Sequence, residues 1–437
     1  MLTDINFIER GNVFPPQSET QRTIKYSQNE NLFLGKHSIV FHRWARTSGF
    51  DGLNVIANWP KRLSLLWADM LFGQEPEIQS DKPDNVQSFL QRNDFFNRAY
   101  EASLDVSRYG VGILKVRNDG KNSIVETVSP HIWYPVFNPM NSKEYVAHVL
   151  AWTYKGTGDD GEEVTYLNVE MHEKGQITYR TYKMQDKTTV HGLVSEDVEL
   201  TGYDGFLVFP VHNITTSDNP FGIDDYDDIA PLLEEIEMRL TQIGRILNKH
   251  ADPSMYGDES ALEYNENTGE YVIRGGGSFF PVSEGGTAPN YLTWDGKLED
   301  NFKAVDQLME QFYAITNTSP ASFGQLKSGL AESGSALKRL LMATIMKANR
   351  LKVRWSRVLI DVVEAAMVLQ DVQIDNTRVE WMDSLPEDET ENTNNEVQKY
   401  VQGLTSLEAS VGRLTGLSGD QLAQEVQKIQ SEQQDTE

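Results

Sequence analysis

Two long runs of helical periodicity, Asp224–His250 and Lys297–Asn317, bracket residues 251–296, which are rich in Gly, Tyr and turn signals. In the first run Ile229, Leu232, Leu233, Ile236, Leu240, Ile243, Ile246 and Leu247 recur three or four residues apart, so they line one helix face. The other face is charged. Asp224, Asp225, Asp227, Asp228, Glu234, Glu235 and Glu237 crowd its start, and Arg239, Arg245 and Lys249 its end, which suits the helix dipole at both ends. Pro231 is tolerated only in a first turn, so regular helix is expected from near Asp228. At 1.5 Å per residue the run would reach about 40 Å. The second run carries Leu298, Phe302, Val305, Leu308, Met309, Phe312 and Ile315 on its stripe. Two struts with a small module at their tip point to a part of an assembly, not to an enzyme built around a pocket.

A chain of 437 residues buries a large core and is expected to divide into two to four domains. Hydrophobic residues make up 39%, and the 32 glycines bring the apolar share to the ordinary globular range of about 45–50%. With no cysteine, neither disulfides nor thiolate metal sites hold the chain together. Met1–Arg10 has no basic region followed by an apolar run, and nowhere do eighteen apolar residues run together. A soluble intracellular product without a membrane span is therefore expected. The net charge of −26 argues against tight, nonspecific DNA binding, which needs Lys and Arg to replace counterions along the phosphates. An acidic protein still suits DNA that must slide.

Along the chain, residues 1–50 are polar and weakly periodic. Helices are expected over Val55–Leu71, bent or started by Pro60, and over Val86–Tyr109. Short β-branched and aromatic runs follow: Ile113–Val116, Ile124–Val128, Trp133–Phe137, Val146–Tyr154, Thr165–Met171, Ile177–Met184 and Phe206–His212. Asn118-Asp119-Gly120 and Asp159-Asp160-Gly161 separate some of them as hairpin turns would. The body is thus expected to be α+β. Between the struts, strands at Tyr271–Arg274 and Phe279–Val282 alternate with Gly275–Gly277 and Gly285-Gly286, giving a small β-rich insert. Ser319–Gly334 has no stripe and reads as a loop. A helix from Ser335 to about Gln370 then carries seven Lys or Arg and no acid between Gly334 and Ile360. Asp383–Glu437 opens on an acidic run and continues as helices, with a frayed tail from Ser431.

Little catalytic chemistry emerges. Ser335-Ala-Leu-Lys338 and Ser217-Asp-Asn219 match two motifs of penicillin-interacting serine enzymes, but in the wrong order and without a Lys-Thr-Gly strand. A helix start capped by Ser333 or Ser335 is the simpler reading. The eight histidines are scattered without metal-ligand spacing, and the Gly275–Gly277 triplet lacks the helix and lysine of a phosphate cradle. No metal or cofactor is implied. The pairs Asp224-Asp225 and Asp227-Asp228 are explained by helix-start charge rather than by cation binding. The basic helix has two readings. Nucleic-acid contact would want interleaved aromatics, of which only Trp355 is present, and the alternative is matching to an acidic neighbour, either its own first strut or the next subunit.

With this layout, the chain resembles the tailed-bacteriophage portal proteins. The matching stretches are Ala102-Ser-Leu-Asp-Val-Ser-Arg-Tyr-Gly-Val-Gly-Ile-Leu-Lys-Val116, Asn219-Pro-Phe-Gly-Ile-Asp-Asp-Tyr-Asp-Asp-Ile229, Asn248-Lys-His-Ala-Asp-Pro-Ser-Met255 and Glu332-Ser-Gly-Ser-Ala-Leu-Lys338, in the family's order. The resemblance implies a portal-type α+β fold: a wing at 1–222 and again with the long helix at 334–382, stem helices at 223–250 and 297–318, and a clip at 251–296. A tunnel loop at 319–333 and a helical crown at 383–437 complete it. It also implies a ring, normally of twelve subunits, at one capsid vertex of the virion, assembled in the host cytoplasm. Through it would pass double-stranded DNA, during packaging and ejection, and the packaging motor (terminase), head-completion or adaptor proteins, and capsid and scaffold proteins would be its partners. On that template Gln325, Lys327, Ser328 and Gly329 face DNA in the tunnel loop, and Asp227, Asp228, Glu234, Glu235 and Glu237 form the acidic channel wall. Lys347, Arg350, Arg354 and Arg357 form a basic inter-subunit helix, and Tyr264, Tyr271 and Arg274 bind partners at the clip. The chain itself would not be an enzyme. A virion adaptor or scaffold that binds only protein is the alternative, and a serine acyl enzyme on Ser335 and Lys338 a remote one.

Overall fold

The computed structural model describes residues 1–41, 55–158, 161–251, 255–256, 262–266, 269–273, 285, 290–291, 298–325, 334–382, 389–417 and 419–434. Helix α1 (Thr20–Phe33) and the short α2 (His37–Val40) lead to α3 (Trp59–Phe72), β1 (Glu77–Gln79), α4 (Pro83–Asn93) and α5 (Phe95–Tyr109). Pro60 stands in the first turn of α3, where its missing N–H costs nothing, and the Asn58 side chain accepts the Lys61 N–H at 3.2 Å as a cap.

Two antiparallel sheets follow. Strand β2 (Val111–Asn118) is flanked by β3 (Ser123–Val128) and β9 (Val208–His212) in a three-stranded sheet. The second sheet is a five-stranded meander of β4 (Trp133–Asn138), β5 (Asn141–Thr157), β6 (Glu163–Glu173), β7 (Gln176–Gln185) and β8 (Thr189–Leu200). Leu2, Phe7, Ile8 and Phe14 from the N-terminal segment cover one face of the meander, packing with Tyr134, Val149 and Leu167. The main core lies between α3, α4, α5 and the long helix α9 (Met342–Val368), where Trp67, Phe89, Phe95 and Trp355 are fully buried beside Leu114 and Val116 of the three-stranded sheet.

The two expected struts are α6 (Ala230–Ala251) and α7 (Leu298–Thr316), which pack against each other. Between them lie the two-residue pair β10 (Met255–Tyr256) and β13 (Asn290–Tyr291), and the hairpin β11 (Leu262–Asn265) with β12 (Glu270–Ile273). After α7 come α8 (Gly334–Leu340), α9, β14 (Arg378–Glu380), which pairs with β1, and the helices α10 (Glu389–Val401), α11 (Leu407–Thr415) and α12 (Gly419–Gln434).

Several boundaries differ from expectation. The Val86–Tyr109 pattern is two helices, because Asp94 adopts φ +49 and turns the chain between two apolar faces that share one core. The first strut begins at Ala230 rather than near Asp228, since Asp224–Ile229 is occupied by tertiary contacts. The long basic helix is interrupted at Leu341, whose φ of −96 and ψ of 4 separate α8 from α9. Residues 1–50, unassigned from sequence, hold α1 and the sheet-covering segment, and β8 was not expected. The expected strand at Phe279–Val282 lies outside the described residues, as do Ser333 and Arg274.

Candidate assembly and channel surfaces

The root of α6 is a keyed loop. Asp224 Oδ1 accepts the N–H groups of Tyr226 and Asp227, each at 2.9 Å, while its Oδ2 sits 3.0 Å from Lys25 Nζ. Burial holds the Asp224 carboxyl above its ordinary range, although Lys25 pulls the other way. Asp225 turns to the opposite side, taking Lys347 Nζ at 2.8 Å and Asn213 Nδ2 at 2.8 Å on Oδ1, and the Ser107 hydroxyl at 2.7 Å on Oδ2. Lys347 also lies over the Trp67 ring, 4.1 Å from its centroid. Tyr226 is fully buried, and its hydroxyl donates to the Pro60 carbonyl at 3.0 Å. This loop thus ties α6 to α1, α3, α5 and α9.

Of the five expected channel carboxylates, Asp227 and Asp228 are exposed in this loop, with Asp227 2.7 Å from Lys25. Glu234 and Glu235 are half-buried on α6, and Glu235 pairs with Arg239 at 2.9 Å. Glu237 departs from expectation. It is fully buried, and its Oε1 meets His37 Nδ1 at 2.6 Å and accepts the Ala57 N–H at 3.0 Å. The α2 segment and residues 55–58 cover this flank of α6, a cover that the helix's own periodicity does not reveal, so Glu237 is an internal acceptor rather than a wall carboxylate.

The basic helix also divides. Lys347 is committed inside its own chain, so that residue takes the intra-chain half of the sequence reading. Arg357 pairs with Asp361 at 3.1 Å. Arg350 is exposed and Arg354 half-buried one turn later, and burial together with Arg350 lowers the Arg354 pKa. Neither has an ion-pair partner among the described residues.

Between α6 and α7 lies a groove of about 850 Å³, lined by Ile236, Leu240, Val305 and Met309 together with Asp306 and Glu310. Trp59, Phe312, Tyr313 and Phe323 close one end as an aromatic cluster, with the Trp59 and Phe312 centroids 5.3 Å apart. Gln325 is tethered there by the Tyr313 hydroxyl at 3.2 Å. Lys327, Ser328 and Gly329 lie outside the described residues. In the insert, Tyr264 is exposed and stands in register with Tyr271 in the β11–β12 pair. Ser335 and Lys338 fall within α8, on its first turn and middle. No helix among the described residues is long and apolar enough to cross a membrane.

Lys25, which holds Asp224, His37, which holds Glu237, and Ser64, whose hydroxyl lies 2.6 Å from that of Tyr226, went unnoticed in sequence. The one available signal was the Ile223-Asp-Asp-Tyr226 string, whose polar density just ahead of an apolar stripe marks an anchored helix start.

The model of the family described as "Phage portal protein, SPP1 Gp6-like" matches residues 16–437. The chain belongs to the phage portal protein family. In fold, this portal is similar to a chain of the solved structure "Virion of native gene transfer agent (GTA) particle", with a TM-score of 0.52 at 12% identity, covering 94% of this chain and 96% of that one. A chain of "Neck of native GTA particle computed with C12 symmetry" gives a TM-score of 0.49 at 11% identity over 93% and 96% of the two chains. No curated protein sequence matches significantly. Portal proteins are structural, and the function that follows from membership is that of a portal at the capsid vertex.

Two of the family-like stretches of this portal meet in space. Gly110 and Gly222 both adopt positive φ, and their backbones abut so closely that a Cβ on either would run into the other's carbonyl. Gly112 is held against the Ala102 carbonyl in the same way. The Asp225 N–H donates to the Ser107 carbonyl at 2.8 Å. The Ala102–Val116 and Asn219–Ile229 strings are thus two halves of one socket that seats α6.

Proposed function

We propose that copies of this portal close into a ring with an axial channel for double-stranded DNA, and that the ring docks the packaging motor and later the head-completion proteins. The observation that carries this reading is the family match over residues 16–437, which spans both long helices, the insert between them and the basic helix. Twelve is the subunit number that the resemblance implies. The wing is assigned to 1–222 and 334–382, the stem to 223–250 and 297–318, the clip to 251–296, the tunnel loop to 319–333 and the crown to 383–437. Virion location at the capsid vertex follows, with assembly in the host cytoplasm.

Electrostatics support a sliding contact. Each phosphate held by a cation adds a salt-dependent grip that moving DNA must break, so a conduit favours carboxylates on its walls. Once Glu237 is set aside, the wall carboxylates in this reading are Asp227 and Asp228, exposed at the root of α6, and Glu234 and Glu235, half-buried along it. With a Debye length of about 8 Å at physiological salt, they act on DNA only where the bore is narrow. Lys327 and Gln325 on the tunnel loop provide weak contact. Ring closure needs a different patch on each side of the subunit, which Arg350 and Arg354 on one side and the acidic stem on the other supply.

Negative-stain microscopy of the purified chain tests the proposal. Rings with an axial hole are expected, and a protein that stays monomeric at every salt concentration refutes it in favour of a protein-only adaptor. Lys327→Ala should change DNA retention modestly and leave rings intact.

A further inference from the structure

Helix α9 carries an uncovered ridge. Met342, Met346 and Val353 are 58%, 62% and 74% exposed, and at 3.6 residues per turn their spacings place them within about 40° of one another on one face. Arg350 flanks this ridge. On the same molecule the α6–α7 groove is apolar along Ile236, Leu240, Val305 and Met309 and carries the carboxylates Asp306 and Glu310. The ridge from Met342 to Val353 spans about 16 Å of helix, and the groove from Val305 to Tyr313 about 12 Å. The groove therefore suits a short apolar helix ridge accompanied by a cation, and its carboxylates disfavour an acidic occupant. In a chain of net charge −26, the α9 face between Met342 and Val353 meets that description without an acidic residue.

We infer that the Met342–Met346–Val353 ridge of one copy seats in the α6–α7 groove of the next, with Arg350 facing Asp306 and Glu310. The inference rests on the ring proposed above and names the contact that closes it. Ridge and groove are different surfaces, so the contact is heterologous and propagates from copy to copy until the ring closes.

The absence of cysteine makes the test direct. Two single variants, Met346→Cys and Met309→Cys, are mixed during assembly and treated with a short bis-maleimide cross-linker. A cross-linked dimer is expected from the mixture, at least tenfold stronger than from either variant alone. Rings without that cross-link would overturn the contact while leaving the ring itself standing, as would equal cross-linking by one variant alone. A wild-type chain that never forms rings would remove the ring and the contact together. Charge exchange supplies a second measurement that does not depend on the thiols. Arg350→Glu should cut the ring fraction at least tenfold, and adding Glu310→Lys should restore at least half of it. Loss without restoration, or no loss at all, counts against the pairing.

Discussion

Lys347 and Asp225, 122 positions apart, form an ion pair of 2.8 Å with both side chains buried, beneath which the Trp67 ring lies 4.1 Å from the ammonium. The pair locks the start of α6 to the second turn of the core helix α9, so the first long strut leaves the body in a set direction. A buried pair of this kind is costly to break from one side, because the remaining charge is left without compensation in a site that water does not reach.

Lys347→Met is accordingly expected to lower stability by roughly 3–5 kcal/mol. Combining it with Asp225→Asn should recover a large part of that loss, since the asparagine no longer carries the orphaned charge and Ser107 and Asn213 remain nearby. Urea midpoints of the two single variants and the double variant measure the coupling. Additive losses would show that the two residues act independently.

Acid should weaken the protein through its buried imidazoles. His148 accepts the Trp133 indole N–H at 3.1 Å, and His212, whose Nδ1–H donates to the Phe221 carbonyl at 3.2 Å, accepts the Tyr145 hydroxyl at 2.8 Å on Nε2. Burial pushes His148 down to about 3 and His212 down to about 4. Both folded values lie below the ordinary 6.5, so the unfolded chain binds more protons in between. The stability they contribute is full above pH 6.5 and is lost as pH falls toward 4 and 3. Asp105, raised by burial to about 6, acts in the opposite sense between pH 6 and 4. His148→Gln, neutral throughout, should therefore lose about 2 kcal/mol less than wild type between pH 6.5 and pH 5. Paired urea melts at the two pH values check this, and equal losses would reject it.

Gly112→Ala should be severe. Its new methyl would be driven into the Ala102 carbonyl, a backbone atom that cannot rotate away. A loss of roughly 3 kcal/mol or more is expected, at the upper end of overpacking. Gly120→Ala is the control. Gly120 has φ +92 but open space around its Cα, so only conformational strain of about 1–2 kcal/mol applies. Thermal melts of the two variants should differ clearly.

Charge reversal on the basic helix separates folding from assembly. Arg350→Glu with Arg354→Glu should abolish or sharply reduce oligomers in light scattering while leaving the circular dichroism of the subunit unchanged. Unaltered oligomers would place the ring contact elsewhere.

How much of this was legible in sequence varies with the range of the interaction. Helices α6 and α7 were readable to within a few residues because Ile229 through Leu247 and Leu298 through Ile315 repeat at the helical period. Strands β2 to β7 and β9 were marked by β-branched runs bounded by Asn, Asp and Gly. The resemblance strings around Gly110, Gly112 and Gly222 were visible as strings, but nothing along the chain says that Gly110 and Gly222 touch. Asp94 broke a helix that its neighbours' periodicity continued, and β8 was missed because nearly all of its residues beyond Val190 are exposed and its pattern lacks an apolar face.

By itself the sequence determined the α+β content, the two struts with an insert between them, the excess of carboxylates and membership of the portal family, since all of these live in local periodicity, composition and ordered motifs. Tertiary structure alone decided which charges are free. Glu237 and Lys347 look like surface residues on amphipathic helices, yet His37 and Asp225, contributed by segments more than a hundred positions away, take them into the interior. A helix's period records which face is apolar, whereas burial of a flank depends on what the rest of the chain lays over it.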